Sequence, residues 1–378
     1  MCIRDRYRVK HWLVEVLWRQ KLPAFWPAFK RAIVSPATIG LLLIAALAFG
    51  GGLQLDKLFQ AEKEQLAYEV EFALKEPYDR PEFSVERWLD DANLPNDKAS
   101  VDVIIFWSSS CLECRALLSA AQDWEESYAE LGLSITTVHI PEFNYEADAS
   151  VISQVVKEWG VSLPVAIDND YEIAGAFETT VPPTSFFIDS DQQVRHIEFT
   201  SKNLAHSERV IQELLSSSNV FHNFDPPPTT PEDDPLQSFL ISDDIYTGTD
   251  WLGGFAQSDQ NVSGEVVDFE SIEPEIGQYG LDGRWLVGPE SVVSASDNAT
   301  ITVRFVGESV HVLAGADSEL SISLDNYGNS NPGEDVVEGI VSVQPDQFYH
   351  LVDLDEVDKS GKLTLRVPRG VEIYKFSF

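Results

Sequence analysis

Cysteine is nearly missing from this chain: 3 residues in 378, beside 1 methionine and 7 scattered histidines. So few thiols exclude the disulfide framework of a small secreted scaffold. They also argue against structural zinc, which would need two further soft ligands beside Cys111 and Cys114, and the third cysteine is Cys2. No His/carboxylate spacing reads as a metal site, so neither a metal nor a separate cofactor is expected. Basic charge is short as well, with 26 Lys/Arg against 62 Asp/Glu and a net charge of −36. A surface this acidic repels phosphates, which excludes nucleic acid as a partner.

What is present suffices for two buried cores: 44% of residues are aliphatic or aromatic and 23% charged, over a length that suggests two domains. The charge is segregated, with a net of +6 over residues 1–55 and −42 over the remainder. Ala32 to Leu55, AIVSPATIGLLLIAALAFGGGLQL, is 24 residues without a charge, long enough for about 30 Å of hydrocarbon. Arg19, Lys21, Lys30 and Arg31 crowd its N-terminal flank. By the positive-inside rule this predicts a single-pass signal anchor in the inner (cytoplasmic) membrane, with the acidic bulk periplasmic or extracellular. A cleaved signal peptide and the tail of a larger membrane domain are the alternatives. The first six residues, MCIRDR, resemble translated sequencing-adapter sequence, so Cys2 is set aside.

The organisation follows from composition and period. Residues 1–31 form a basic cytoplasmic segment, 32–55 the anchor and 56–80 a charged helical stalk. Over 81–218, strand-period runs such as SVDVIIFW and LSITTVHI alternate with helical ones such as RALLSAAQDWEESYAELG, which predicts a sheet covered by helices. In that helix Leu117, Ala121, Trp124, Tyr128 and Leu131 share a face, with Gly132 as the stop. Residues 219–237 hold DPPPTTPEDDP, five prolines in eleven residues. Such a linker would keep two bodies some 35 Å apart, at about 3.1 Å per residue. Over 238–378 short alternating runs such as ATITVRFV and KLTLRV, punctuated by Gly, Asn, Asp and Pro, predict an antiparallel β-sandwich.

The chemistry sits in FWSSSCLECRALL, Phe106 to Leu118. Two cysteines three apart follow a strand and open a helix, where unpaired N–H groups and the helix dipole stabilise an anion. Cys111 is placed to be a thiolate, and Cys114, one turn further in, to attack a mixed disulfide. A structural bridge across so short a loop would stabilise little. Haem attachment would need a histidine where Arg115 stands, and a peroxidatic cysteine would need a different Thr/Pro setting upstream. His139, in a strand, reads as a packed residue. LDNYGNSNPGED, Leu324 to Asp335, lacks the ligand spacing of an EF-hand. Trp251, Trp285 and Tyr327 offer ring faces for sugars, although aromatics in a sandwich are more often core.

FWSSSCLEC after a hydrophobic strand, with VPPTSFFID about seventy residues on, resembles the extracytoplasmic thioredoxins of the TlpA kind. VHIPEFNYEADAS, PVAIDNDYEIAGAF and SFFIDSDQQVRHIEF resemble the thioredoxin domain of the DipZ family, and GRWLVGPESVV with GVEIYKFSF its C-terminal, carbohydrate-binding-module-like β-sandwich. Nothing in the sequence resembles that family's multi-span membrane domain. The resemblance implies an α/β thioredoxin fold, a central mixed sheet with flanking helices, plus an all-β jelly-roll-like sandwich and one N-terminal transmembrane helix. It implies Cys111 as the attacking and Cys114 as the resolving cysteine, Pro183 as the cis-proline facing the disulfide, and Glu142 as a carboxylate near the thiols able to shuttle the proton of Cys114. Trp107, Pro182 and Thr184 are the implied substrate contacts. Departures from ordinary thioredoxins are Ile105 for the buried aspartate and Ser119 for the helix-kinking proline, and Glu113 inside the motif should make the site more reducing.

The expected function is membrane-anchored, extracytoplasmic thiol-disulfide exchange with partner proteins bearing thiols or disulfides, supplied by a membrane electron donor. A neutral glycan or a protein is the expected partner of the sandwich, which from Thr229 carries 28 Asp/Glu against 7 Lys/Arg. The competing readings are a glycan- or protein-binding surface protein using the thioredoxin-like domain as a scaffold, and a dedicated reductase of apocytochrome c thiols.

Overall fold

The computed structural model describes residues 77–378, apart from 91–93, 96–98, 200–203, 219–241, 252–253, 259–262, 317–319, 327–330, 345 and 355–359. The expected anchor, most of the stalk and the proline-rich linker fall outside the described residues. Among the described residues no helix is long and apolar enough to cross a membrane.

The first body is built on β2 (Val101–Trp107), whose near-continuous apolar run is what a strand covered on both faces requires. Val101, Val103, Ile105 and Trp107 face one core with Leu117, Leu118, Val210 and Ile211, while Ile104 and Phe106 face a second with Ile173 and Phe177. The helices behind those contacts are α1 (Leu112–Tyr128), α2 (Ala149–Trp159), α3 (Glu172–Ala176) and α4 (Leu204–Ser217). β3 (Leu133–His139) and β4 (Val165–Ile167) continue the sheet in parallel on one side of β2. On the other side β5 (Thr184–Ile188), β6 (Gln193–Glu198) and β1 (Tyr78–Asp79) add antiparallel strands, giving the order β1-β6-β5-β2-β3-β4. This is the thioredoxin-like mixed sheet. Two boundaries differ from expectation. Tyr78–Asp79, assigned to the helical stalk, is an edge strand because it completes β6. The first helix stops at Tyr128, and a single tighter turn, Ala129–Leu131, runs to Gly132 at φ 102°, a conformation glycine adopts without a Cβ penalty.

The second body is all β. β9 (Gln278–Val287) is shared by two groups of strands. Its first half pairs with β11 (Ala299–Val306), which leads to β17 (Ser360–Val367), β13 (Leu320–Asn326) and β15 (Ile340–Val343). Its second half pairs with β8 (Val266–Phe269) and β10 (Val292–Ser294), which leads to β18 (Glu372–Ser377), β12 (Ser309–Gly315), β16 (Gln347–Asp353) and β14 (Asn331–Pro332). β7 (Ile245–Tyr246) is added beside β18. The change of partners falls at Gly283, at φ 81°, where a Cβ would lie 3.3 Å from the Ala299 backbone. β11 alternates strictly, with Ala299, Ile301, Val303 and Phe305 buried, and both strand groups feed one core that also holds Leu363, Val312, Leu351 and Ile373.

Expected as held apart by the linker, the two bodies touch. Phe143 of the first packs with Trp251, Leu313 and Tyr374 of the second in a separate apolar cluster. Tyr246 stacks on Trp251 with ring centroids 4.1 Å apart. The aromatics that alternate out of β7 and β18 find their burial there.

Candidate functional site

The chain leaves β2 at Trp107 and turns through three buried serines before α1 begins. Cys111 is the N-cap residue of α1, with extended backbone, and its Sγ accepts a hydrogen bond from the Cys114 N–H at 3.1 Å. Cap geometry of this kind places the sulfur against the unpaired donors of the first turn, where negative charge is favoured. Cys111 and Cys114 are joined as a disulfide, with Cα atoms 5.2 Å apart. Cys111 keeps 6% of its surface exposed and Cys114 none, so only Cys111 can meet another protein first. Glu113 and Arg115, on the same turn, are both exposed.

The serines carry the site inward. Ser110 Oγ donates to Glu142 at 2.8 Å and lies 3.2 Å from Ser108 Oγ. Ser109 Oγ donates to Glu146 at 2.9 Å and lies 3.4 Å from His139 Nε2. Glu142, at the end of the loop after β3, is the carboxylate expected near the thiols, and its side chain is only 7% exposed. Its partners come from the second body: Lys375 Nζ lies 3.1 Å from Oε2, and the Tyr246 hydroxyl donates to Oε1. Lys375 is also 2.8 Å from Asp244. Burial pulls its pKa down, but the carboxylates of Asp244 and Glu142 outweigh that and leave it above the ordinary lysine value, so it stays a cation.

Glu146 was not anticipated. It is fully buried in a one-turn helix, Asn144–Ala147, and accepts from the backbone N–H groups of Glu142 and Phe143 as well as from Ser109. Burial, and next the charge of Glu142, push its pKa to about 7, against the lowering effect of the Ser110 hydroxyl and of the Glu142 and Phe143 backbone N–H groups. Among the described residues no basic side chain forms an ion pair with it. His139, as read from the sequence, is packed in the interior, and burial lowers its pKa to about 3.

The peptide between Pro182 and Pro183 is cis. Thr184 pairs with Phe106, so Pro183 sits one residue beyond that pair, alongside the strand end that leads into the cysteine turn. Two expected substrate contacts are corrected. Trp107 and Thr184 have no exposed surface: Trp107 packs edge-on to His139 and against Trp159, and Thr184 hydrogen-bonds Thr179 and the Val181 carbonyl. Pro182 is half-buried, and the exposed residue at this turn is Val181. Trp251 and Trp285, weighed as sugar platforms, are buried, and Tyr327 lies outside the described residues.

Sheet, cis-proline and a capped cysteine pair at a helix start define the class, a thioredoxin-fold protein with its thiol pair in the fold's reactive position. The family described as AhpC/TSA matches residues 79–197, and the family described as Thioredoxin like C-terminal domain matches residues 242–378. Protein DipZ of Mycobacterium bovis, and likewise that of Mycobacterium tuberculosis, is 23% identical over 286 residues, covering 76% of this chain and 40% of DipZ. The chain thus spans about two fifths of the length of these relatives. Thiol-disulfide oxidoreductase YkuV of Bacillus subtilis is 25% identical over 116 residues, 31% of this chain and 78% of YkuV. Among solved structures, a thioredoxin-family thiol:disulfide interchange protein from Chlorobium tepidum TLS covers 37% of this chain and 98% of its own at 20% identity and a TM-score of 0.32. The chain is TlpA/DipZ-like in both of its described bodies.

Proposed function

We propose that the chain is a thiol-disulfide oxidoreductase that exchanges disulfides with partner proteins on the outer face of the cytoplasmic membrane. The observation that carries this is the asymmetric cysteine pair: Cys111 caps α1 at the surface while Cys114 is sealed beneath it. The names of the relatives, oxidoreductase among them, support the same reading.

In the reducing direction the Cys111 thiolate attacks one sulfur of a partner disulfide. A Cys111–partner disulfide forms, the partner's S–S bond breaks, and one partner sulfur leaves as a thiolate that takes up a proton. Cys114, deprotonated, then attacks Cys111 Sγ, closing the internal disulfide and releasing the second partner thiolate. Two electrons pass from the chain to the partner, and a membrane electron donor reopens the internal bond. Glu142, tied to Ser110 next to Cys111, is positioned to influence these proton transfers. Val181 and the half-buried Pro182, next to the buried cis-linked Pro183, offer the surface on which a partner backbone would lie.

Anchoring through residues 32–55 rests on their apolar run and basic flank. For the second body we propose a jelly-roll-like sandwich that recruits a protein or neutral-glycan partner, its acidity disfavouring anionic surfaces. The test is covalent trapping. Reduced Cys114→Ser protein, offered a disulfide-bearing substrate, should accumulate a mixed disulfide at Cys111, and the Cys111→Ser counterpart none. Absence of any trapped species from a folded Cys114→Ser protein refutes the proposal.

A further inference from the structure

Among the described residues, the second body meets the surroundings of the thiol centre along one segment. It grips the segment from Glu142 to Tyr145: Tyr246 and Lys375 hold the Glu142 carboxylate, Glu290 accepts from the Asn144 N–H at 3.1 Å, and Phe143 and Tyr145 pack against Tyr374. Lys375 is fully buried at the join, with its ammonium 5.1 Å from the centre of the Tyr246 ring. A buried ammonium without partners is prohibitively costly, and this one has two carboxylates, one from each body. The carboxylate it shares with the first body is the one that holds Ser110, the residue before Cys111.

We infer that Lys375, from the C-terminal body, is a positioning residue for the thiol centre: it holds Glu142 in place and cancels its charge, and so sets how readily Cys111 ionises. The inference rests on the proposed disulfide exchange and deepens it, making the two bodies one active unit rather than a reaction domain and a docking module. The electrostatic sense follows from the signs. An uncancelled carboxylate near Cys111 disfavours its thiolate, whereas removal of that carboxylate with the lysine retained favours it. The other charged or titratable groups around the turn are Glu113 and Arg115 on α1, His139 on β3, Glu146 in the following turn, and Asp244 and Tyr246 beside Lys375.

The experiment follows Cys111 alkylation by iodoacetamide against pH in the reduced full chain, together with its redox equilibrium against glutathione. Lys375→Met should move the alkylation profile up by about one pH unit, tenfold slower near neutrality, and make the chain a stronger reductant. Glu142→Gln should move the profile down. The double variant, with both charges gone, should return close to the wild-type profile, because the two removals shift Cys111 in opposite senses. Tyr246→Phe removes the phenol's hydrogen bond to Glu142, and it should shift the profile upward by less than Lys375→Met does. A Lys375→Met protein that is folded yet has the wild-type profile and potential overturns the inference. So does a Glu142→Gln profile that fails to move below that of wild type. If Lys375→Met does not fold, an unchanged profile in Tyr246→Phe overturns it. Wild-type protein that fails to exchange disulfides at all would instead overturn the function on which the inference rests.

Discussion

Two carboxylates four residues apart receive opposite treatment from the fold. Glu142 is answered by a cation and a phenol brought from the other body, whereas Glu146 is sealed inside the α/β body with three donors and no ion-paired cation among the described residues. Glu142 is thereby held in place by long-range structure, and Glu146 is left poised near neutrality, its pKa at about 7. One turn of chain thus supplies a carboxylate paired by a lysine and one that titrates near neutrality, each hydrogen-bonded to a serine adjacent to the cysteine turn.

Breaking the Glu142 side should have the largest effect. Lys375→Met leaves the buried Glu142 carboxylate without its cation, beside the partly exposed Asp244, and loss of one partner from a buried pair costs about 3–5 kcal/mol. Urea unfolding at pH 7 should show that loss, and a variant as stable as wild type would mean the pair is solvated. Glu146→Gln should act in the other direction and with pH. From about pH 4.5 to 7 the native state keeps the Glu146 proton that the unfolded chain has released, so ionising it at higher pH lowers stability. Relative to wild type, Glu146→Gln should gain on the order of 3 kcal/mol between pH 5 and 8. A pH-independent difference would show that Glu146 titrates normally. His139 is common to both proteins and cancels from the comparison.

The serines give the smallest and sharpest contrast. Ser110→Ala removes a hydrogen bond to the Glu142 carboxylate, which Lys375 pairs, at a cost of about 1.5–3 kcal/mol. Ser109→Ala should cost a similar amount at pH 8 but less at pH 5, where Glu146 carries its proton. Equal pH dependence of the two losses would erase the distinction between the two acids.

Local pattern made much of this legible. VDVIIFW could be read as a doubly covered strand, the cysteine pair as the start of a helix, and ATITVRFV as one face of a sheet, because each is a burial period written in adjacent residues. The carboxylate at position 142 was legible only through family likeness. Its partner Lys375 lies 233 positions away, and no periodicity reports pairing across such a span. The available signal was a lone lysine in the apolar run VEIYKFSF, where a charge in a buried strand demands an answering one. Glu146 gave no signal, since a glutamate in FNYEAD reads as surface until the turn closes over it. Trp107 was a contact implied by family likeness, whereas in this chain the end of β2 is covered by His139 and Trp159.

The placement of Lys375 on β18 also has a consequence in time. A chain is made and exported N-terminus first, and a body generally folds as it emerges. The sheet, the cysteine turn and Glu142 are complete once α4 has been made, while the lysine arrives only after β17 and must be inserted between β12 and β10. A nascent chain therefore passes through an interval in which the cysteine pair is assembled and its neighbouring acid is unanswered. With the role inferred for Lys375, maturation of the thiol centre waits on completion of the second body.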